Sequence, residues 1–212
     1  MTNPSPWLPL FPLEWVLFPG GSLPLHIFEP RYRKLIHDCL EHQREFGVIL
    51  VQNNQIAEVG CTTRIVEVVK RYDDGRLDIV TEGRRRFEVL FQNHEEEVLR
   101  AEVSFFDDEG EEDPTELKRL LEAVRSLYTK IVLTVAQPNM GLNLVEAQPP
   151  RLAFAIAESL TLPLEVCQNL LALRSETNRL RELDTYLQDI YPKIERLERA
   201  QAKSGGNGHL AQ

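Results

Sequence analysis

Residues 66–79 read Val66-Glu67-Val68-Val69-Lys70-Arg71-Tyr72-Asp73-Asp74-Gly75-Arg76-Leu77-Asp78-Ile79, and the turn at their centre decides the first half of the fold. Val66, Val68 and Tyr72 alternate before the turn, and Leu77 and Ile79 alternate after it. Asp-Gly between two alternating runs predicts a hairpin, because both residues tolerate the positive φ that tight hairpin turns need. Downstream, Phe87, Val89 and Phe91 are expected on one strand face, and Leu99, Ala101, Val103 and Phe105 on another. Upstream, residues 46–52 (FGVILVQ) are a nearly continuous apolar run of strand length, as a buried strand shows. Residues 8–28 hold short apolar runs broken by Pro9, Pro12, Pro19, Pro24 and Gly20-Gly21, a density of proline that suits edge strands and bends. Strands this closely spaced imply a closed or half-closed barrel.

One helix interrupts the strands. Tyr32, Leu35, Ile36, Cys39 and Leu40 recur at helical spacing and share a face, and Pro30 fits the first turn, where its missing N–H costs nothing. After residue 106 the periodicity changes. Asp107 to Asp113 (DDEGEED) is expected to be a solvated acidic linker, with Asp113 capping a helix that opens at Pro114. Leu117, Leu120, Leu121, Val124, Leu127, Tyr128 and Ile131 form its apolar stripe, and Pro138 is expected to stop it. Residues 139–149 read as a loop. A helix follows from near Pro150, Thr161-Leu162-Pro163 breaks it, and Ser175 caps the last one. In that last helix Leu180, Leu183, Leu187, Ile190, Ile194 and Leu197 form a narrow seam, suited to a neighbouring helix of the same bundle or of a second copy. Pro192 lies inside the seam and is expected to kink or end the helix. The expected organisation is a β-rich unit over residues 1–106, an acidic linker over 107–113, a helical bundle over 114–200 and a disordered tail over 201–212.

Bulk properties narrow the function. With 212 residues the chain can bury a substantial core, and 42% hydrophobic with 27% charged residues is the composition of a soluble globular protein. The net charge of −9 disfavours a nucleic-acid partner. Cys39, Cys61 and Cys167 are dispersed and odd in number, which reads as reduced, buried thiols in a cytoplasmic protein. No secretory leader and no membrane-length apolar run is visible.

A search for chemistry finds no constellation. The chain has no phosphate-binding glycine loop ending in Lys-Ser or Lys-Thr. In Gly20-Gly21-Ser22-Leu23-Pro24, Pro24 stands where a nucleophile elbow requires glycine, so Ser22 reads as part of a turn entering a strand. His37, Cys39 and His42 look like metal ligands in one dimension, but a two-residue step on a helix turns through about 200°, which sets His37 and Cys39 on opposite sides. Arg84-Arg85-Arg86 is the one dense basic run. Alternation along a strand divides it between two faces, and ion pairs with nearby acids explain it better than nucleic acid does. No metal and no cofactor is expected. On these grounds the chain reads as a binding module.

Three further stretches carry a resemblance. Leu8-Pro9-Leu10-Phe11-Pro12-Leu13, Val16-Leu17-Phe18-Pro19-Gly20 and Leu23-Pro24-Leu25-His26-Ile27-Phe28-Glu29-Pro30-Arg31-Tyr32 strongly resemble the N-terminal domain of Lon proteases. The likeness continues through Val59-Gly60-Cys61, Asp74-Gly75-Arg76 and Gly83-Arg84-Arg85-Arg86-Phe87, and more loosely over Leu180 to Leu187. The resemblance implies an α+β fold: a PUA-like β-barrel with one inserted helix, then a C-terminal helical bundle with a long last helix. It also implies a stand-alone substrate-binding domain without the family's ATPase and protease domains. The expected function is a non-enzymatic, cytoplasmic polypeptide-binding or adaptor protein. Its expected partners are exposed or unfolded segments and a separate ATP-dependent protease. A peptidase-related component and a PUA-like RNA-binding protein are the rival readings.

Trp15, Met140 and Leu142 are the candidate polypeptide-binding residues, since tryptophan is enriched at binding hot spots and methionine adapts to varied partners. Capping of the barrel is the alternative role for Trp15. Glu29, Pro30, Arg31, Tyr32 and Arg86 are expected to form a structural corner, in which Glu29 or another nearby acid pairs with Arg31 or Arg86.

Overall fold

The computed structural model describes residues 7–93, 97–110, 113–135 and 150–205. Six strands and five helices follow one another: β1 (Trp7–Leu13), β2 (Ser22–Ile27), α1 (Pro30–His42), β3 (Phe46–Gln52), β4 (Gln55–Arg71), β5 (Leu77–Asn93), β6 (Arg100–Phe106), α2 (Pro114–Val135), α3 (Leu152–Leu160), α4 (Leu164–Ala172) and α5 (Glu176–Gly205). They group into two compact units, Met1–Asp107 with Leu162–Ala172, and Asp108–Thr161 with Leu173–Gln212.

In the strand unit, β1 runs parallel to β3 and antiparallel to β6, β6 pairs with β5, β5 with β4, and β4 with β3. These pairings close a ring. β2 stands outside it, antiparallel to the first half of β5, where Ser22 lies opposite Glu82 and Ile27 opposite Leu77. The second half of β5 turns the same edge to β6, from Arg86↔Phe106 to Asn93↔Arg100. Gly83 marks the change of partner. A Cβ there would meet the Phe18 carbonyl oxygen at 2.1 Å, and the bare backbone instead exchanges hydrogen bonds with Gly20 and Gly21 at 2.7 and 2.8 Å.

The β-hairpin forms where Asp-Gly requires it, with Gly75 at φ +84°. Alternation holds on the β5 arm, where Leu77, Ile79 and Thr81 are buried, and breaks on the β4 arm. Register shifts between Ile65 and Glu67 and between Val68 and Lys70 bring Ile65 and Val68 onto the core and leave Val66 and Val69 outside. A further shift between Val89 and Phe91 separates residues that simple alternation puts together. Phe87 is buried, whereas Phe91 is 67% exposed. Each bulge adds one residue to one strand, which flips every side chain after it.

Proline placement also differs from an edge-strand reading. β2 is an edge, but β1 is a member of the ring. It accommodates proline because its two edges are used in turn: Trp7–Pro9 pair with β6 and Leu10–Leu13 with β3.

Two clusters fill the strand unit. Tyr32, Leu35, Ile36 and Cys39 of α1 pack with Phe11, Ile27, Phe46 and Ile79, while Phe87 packs with Leu8, Leu10, Ile49, Ala101 and Val103. The inserted α1 is thus held by the same apolar face that its sequence displays. The helix α4 also belongs here, which corrects its expected place in a contiguous helical bundle over 114–200. Gln168 Nε2 donates to the Val59 carbonyl at 2.9 Å, and buried Arg86 donates to the Leu171 carbonyl at 3.1 Å. A cation at a helix C-terminus meets both the free carbonyls and the negative end of the dipole.

The helical unit packs α2 and α3 on α5. Leu120, Val124, Tyr128 and Ile131 are buried on α2, and Leu180, Leu183 and Leu187 on α5. Asp113 Oδ1 accepts from the amides of Thr115 and Glu116, and Ser175 Oγ from Asn178, so both helices carry the side-chain caps their sequences announce. α5 continues past Pro192 to Gly205, five residues into the segment expected to be a disordered tail; residues 206–212 lie outside the described residues. The acidic segment is not uniformly a solvated linker. Asp108 holds Arg179 through both carboxylate oxygens, at 2.7 and 2.5 Å. Arg179 also donates to Glu176 at 2.9 Å and to the Leu173 carbonyl at 3.0 Å, and its guanidinium lies 4.5 Å from the Phe154 ring centroid. Glu176 in turn accepts from the Ala153 amide in the first turn of α3 at 3.1 Å. Burial pushes the Glu176 carboxyl above its ordinary value, against the pull of Arg179.

Candidate functional site

The strand unit carries a groove of about 580 Å³ where β1 and β2 both end without pairing to each other. Phe11, Pro12 and Leu13 line it from β1, and Pro24, Leu25 and His26 from β2. Phe28, Glu29, Arg31, Tyr32 and Leu99 complete it. Its walls are apolar for a local reason. β1 shifts from β6 to β3 at Pro9 and Leu10, so its last residues, of which Phe11, Pro12 and Leu13 line the groove, pair with β3 and no longer with β6, and β2 has only β5 as a neighbour. Phe28, at the mouth, is 59% exposed. An exposed large aromatic beside strand edges is a feature of surfaces that accept an extended chain.

The expected corner sits in this wall. Glu29 takes Arg31 in an ion pair, with Arg31 Nη2 at 2.7 Å and Nε at 3.0 Å. Pro30 opens α1, and Tyr32 is buried with its ring 4.2 Å from that of Phe11. Burial raises the Tyr32 phenol above its usual value. Glu29 makes no side-chain cap to α1, so its carboxylate serves Arg31 and not the helix amides. Arg86 lies apart from this group, against Phe106 and the end of α4.

Outward from the groove, a second cluster was not legible in one dimension. His26 Nδ1 and Asp78 Oδ1 are 2.5 Å apart, and Tyr72 donates its hydroxyl to Asp78 Oδ2 at 2.7 Å. The His26 ring stacks on Phe28 at 5.9 Å and meets Tyr72 edge-on at 5.9 Å. Hydrogen bonds from His26 and Tyr72 hold the Asp78 carboxyl below its ordinary range. The β2–β5 register sets His26 opposite Asp78, so the pair follows once those strands are known to be neighbours. Complementary side chains on two strands were the available signal, and 52 residues of separation concealed it.

The remaining candidates for chemistry are dispersed. Cys39, Cys61 and Cys167 are free and buried, and burial pushes the Cys39 thiol up to about 12. Arg84 pairs loosely with Glu82, Arg85 lies over Phe105 and Arg86 is buried, so the basic run divides three ways. Among the described residues no group of three His, Cys, Asp or Glu side chains could hold a metal ion, and no helix is long and apolar enough to cross a membrane. Trp15 is exposed in the β1–β2 connection but is not among the residues lining the groove. Met140 and Leu142 lie outside the described residues.

Two solved structures share the fold of this chain. The Lon N-terminal domain protein from Xanthomonas campestris superposes with a TM-score of 0.66 at 29% identity, covering 84% of this chain and 96% of the other. The N-terminal domain of a Mycobacterium avium complex Lon protease gives 0.68 at 18% identity, covering 87% and 99%, a likeness of fold alone. Among sequences, a Lon protease of Anaeromyxobacter dehalogenans is 28% identical over 176 residues, and one of Flavobacterium johnsoniae is 25% identical over 210. Those alignments cover 77% and 92% of this chain and 21% and 26% of the two relatives, so the chain spans about a quarter of their length. The family model for the ATP-dependent protease La (LON) substrate-binding domain matches residues 7–189, and the chain belongs to that family.

Proposed function

We propose that this chain binds exposed or unfolded polypeptide segments in the groove between β1 and β2, without chemistry of its own, and acts as a cytoplasmic adaptor to a separate ATP-dependent protease. The observation that carries this reading is the exposed Phe28 beside two strands whose groove-side edges are unpaired with each other. An extended segment there gains backbone hydrogen bonds from a strand edge and buries an apolar side chain against Phe11, Leu13, Leu25 and Phe28. Trp15, Met140 and Leu142 are proposed as further polypeptide-binding residues, and a second copy through α5 is proposed as a further partner.

The test is the affinity of fluorescent, chemically unfolded casein or apolar peptides, read by anisotropy. Phe28→Ala should weaken binding at least about ten-fold, as truncating an aromatic hot spot does, with the melting temperature preserved. Trp15→Ala and Met140→Ala should each weaken it less. Unchanged affinity in folded Phe28→Ala protein overturns the groove as the site. Casein degradation by the purified chain, with or without ATP, would overturn the absence of chemistry.

A further inference from the structure

We propose that the groove continues into a cationic pocket that selects an acidic side chain, so that the segment bound carries Asp or Glu three to four residues from its apolar anchor. This rests on the polypeptide reading above and names the class of segment that it takes. The pocket, of about 460 Å³, lies on the far side of Pro30 and is lined by Arg33, His37, Arg71, Tyr72, Arg76 and Leu77, with no carboxylate among its described lining residues.

Its basic groups are held by the hairpin. Arg33 Nη1 donates to the Asp74 carbonyl at 2.6 Å, and Asp74 takes Arg76 Nε at 2.7 Å. Gly75 keeps the approach open, since a Cβ there would come within 3.0 Å of Arg33 Nη1. Arg71 is exposed. Arg76 is ion-paired with Asp74, so on a chain of net charge −9 the guanidinium groups of Arg71 and Arg33, the latter bound to a backbone carbonyl, are what this concavity offers a carboxylate.

The two concavities are joined by a rail of rings. Phe28 and His26 belong to the groove, Tyr72 to the pocket, and His26 touches both of the other rings. Asp78 ties His26 and Tyr72 together, and the Arg76 guanidinium lies 4.8 Å from the Tyr72 centroid. Two ring-to-ring steps of 5.9 Å bound the span from Phe28 to Tyr72 at about 12 Å, and an extended chain rises about 3.3 Å per residue. A side chain packed on Phe28 therefore lies at most three to four positions from one that reaches Tyr72 and the Arg76 guanidinium beside it. The rail supplies flat apolar surface for the residues between.

The experiment is anisotropy on capped, amidated peptides with one Phe anchor and either Asp or Asn placed three or four positions to each side. In one orientation, Asp should bind about three- to five-fold more tightly than Asn at low salt, and the preference should shrink as salt rises. Arg71→Ala should abolish the preference, bringing the affinities for the Asp and Asn peptides together. Arg33→Gln is the second variant. Equal affinities for Asp and Asn, or a preference that survives both variants, overturn the inference while the groove stands. If replacing the Phe anchor by Ala costs the peptides nothing, the groove reading itself fails. A gain confined to peptides with a free C-terminal carboxylate would overturn selection of side chains in favour of chain ends. Tighter, salt-steep binding of oligouridine than of any peptide would overturn the polypeptide as occupant.

Discussion

The two units each tie a nitrogen-bearing side chain to carboxylate oxygens beside an aromatic ring, and they use the arrangement for opposite ends. In the helical unit Arg179 is 0% exposed, and its donors meet Asp108, Glu176 and backbone carbonyls while its plane lies over Phe154. In the strand unit His26, Asp78 and Tyr72 make bonds as short, but at the surface beside an exposed phenylalanine. Burial decides what such a cluster can do. A charge withdrawn from water is expensive to leave unpaired, so every partner becomes structural. A cluster at the surface exchanges partners with water cheaply and remains available to a ligand.

That contrast orders the expected effects. Arg179→Ala strands Asp108 and Glu176 without their counter-charge and should cost about 3–5 kcal/mol in denaturant unfolding. A loss below 1 kcal/mol would show that the buried cluster is no more structural than the exposed one. Gly83→Ala sets a methyl against the Phe18 carbonyl and should cost about 1–3 kcal/mol, with the loss located in the strand unit by hydrogen exchange. Protection lost first in the helices would contradict the assignment of Gly83 to the β5 change of partner.

The surface cluster should announce itself through pH. The Asp78 carboxyl is held below its unfolded value of about 3.9, so its contribution is present above that value and is lost as pH falls through the lower folded value. Acid titration of stability should therefore be shallower below about pH 4 in Asp78→Asn than in the parent protein. Identical acid limbs would remove Asp78 from the account. Phe28→Ala should change stability by no more than about 0.5 kcal/mol, because the ring is largely in water, and a larger loss would make Phe28 part of the core. The smallest effect concerns Cys39. With its thiol pushed up to about 12 and buried, alkylation at pH 8 should leave it unlabelled in folded protein and label it on unfolding.

Elements with strong local signals were readable before any coordinates. The Asp-Gly hairpin, the apolar face of α1, the Asp113 and Ser175 caps and the break at Thr161 all rest on interactions within a few residues. What was not readable depends on partners distant in the chain. Val66 and Phe91 were misplaced relative to Val68 and Phe87 because bulges are set by the neighbouring strand. The assignment of α4 to the strands depends on Val59 and Arg86, and the fate of Asp108 on Arg179, 71 residues away. Of the groove, only the Glu29–Tyr32 corner had been singled out. Phe28 stood in the same quoted run, but nothing local distinguishes an aromatic that ends in water from one that ends in the core.

The sequence by itself determined the strand and helix runs and the positions of the turns and caps, because those follow from backbone conformational preference and from the period of apolar residues, while the family and its fold class came from the resemblance carried by the run from Leu8 to Tyr32. Tertiary structure alone decided which polar groups are buried and which meet a ligand. It closed β1, β3, β4, β5 and β6 into a ring, left β2 outside, and so created both the groove and the His26–Asp78 contact. Exposure is a property of neighbours, and a one-dimensional pattern does not contain them.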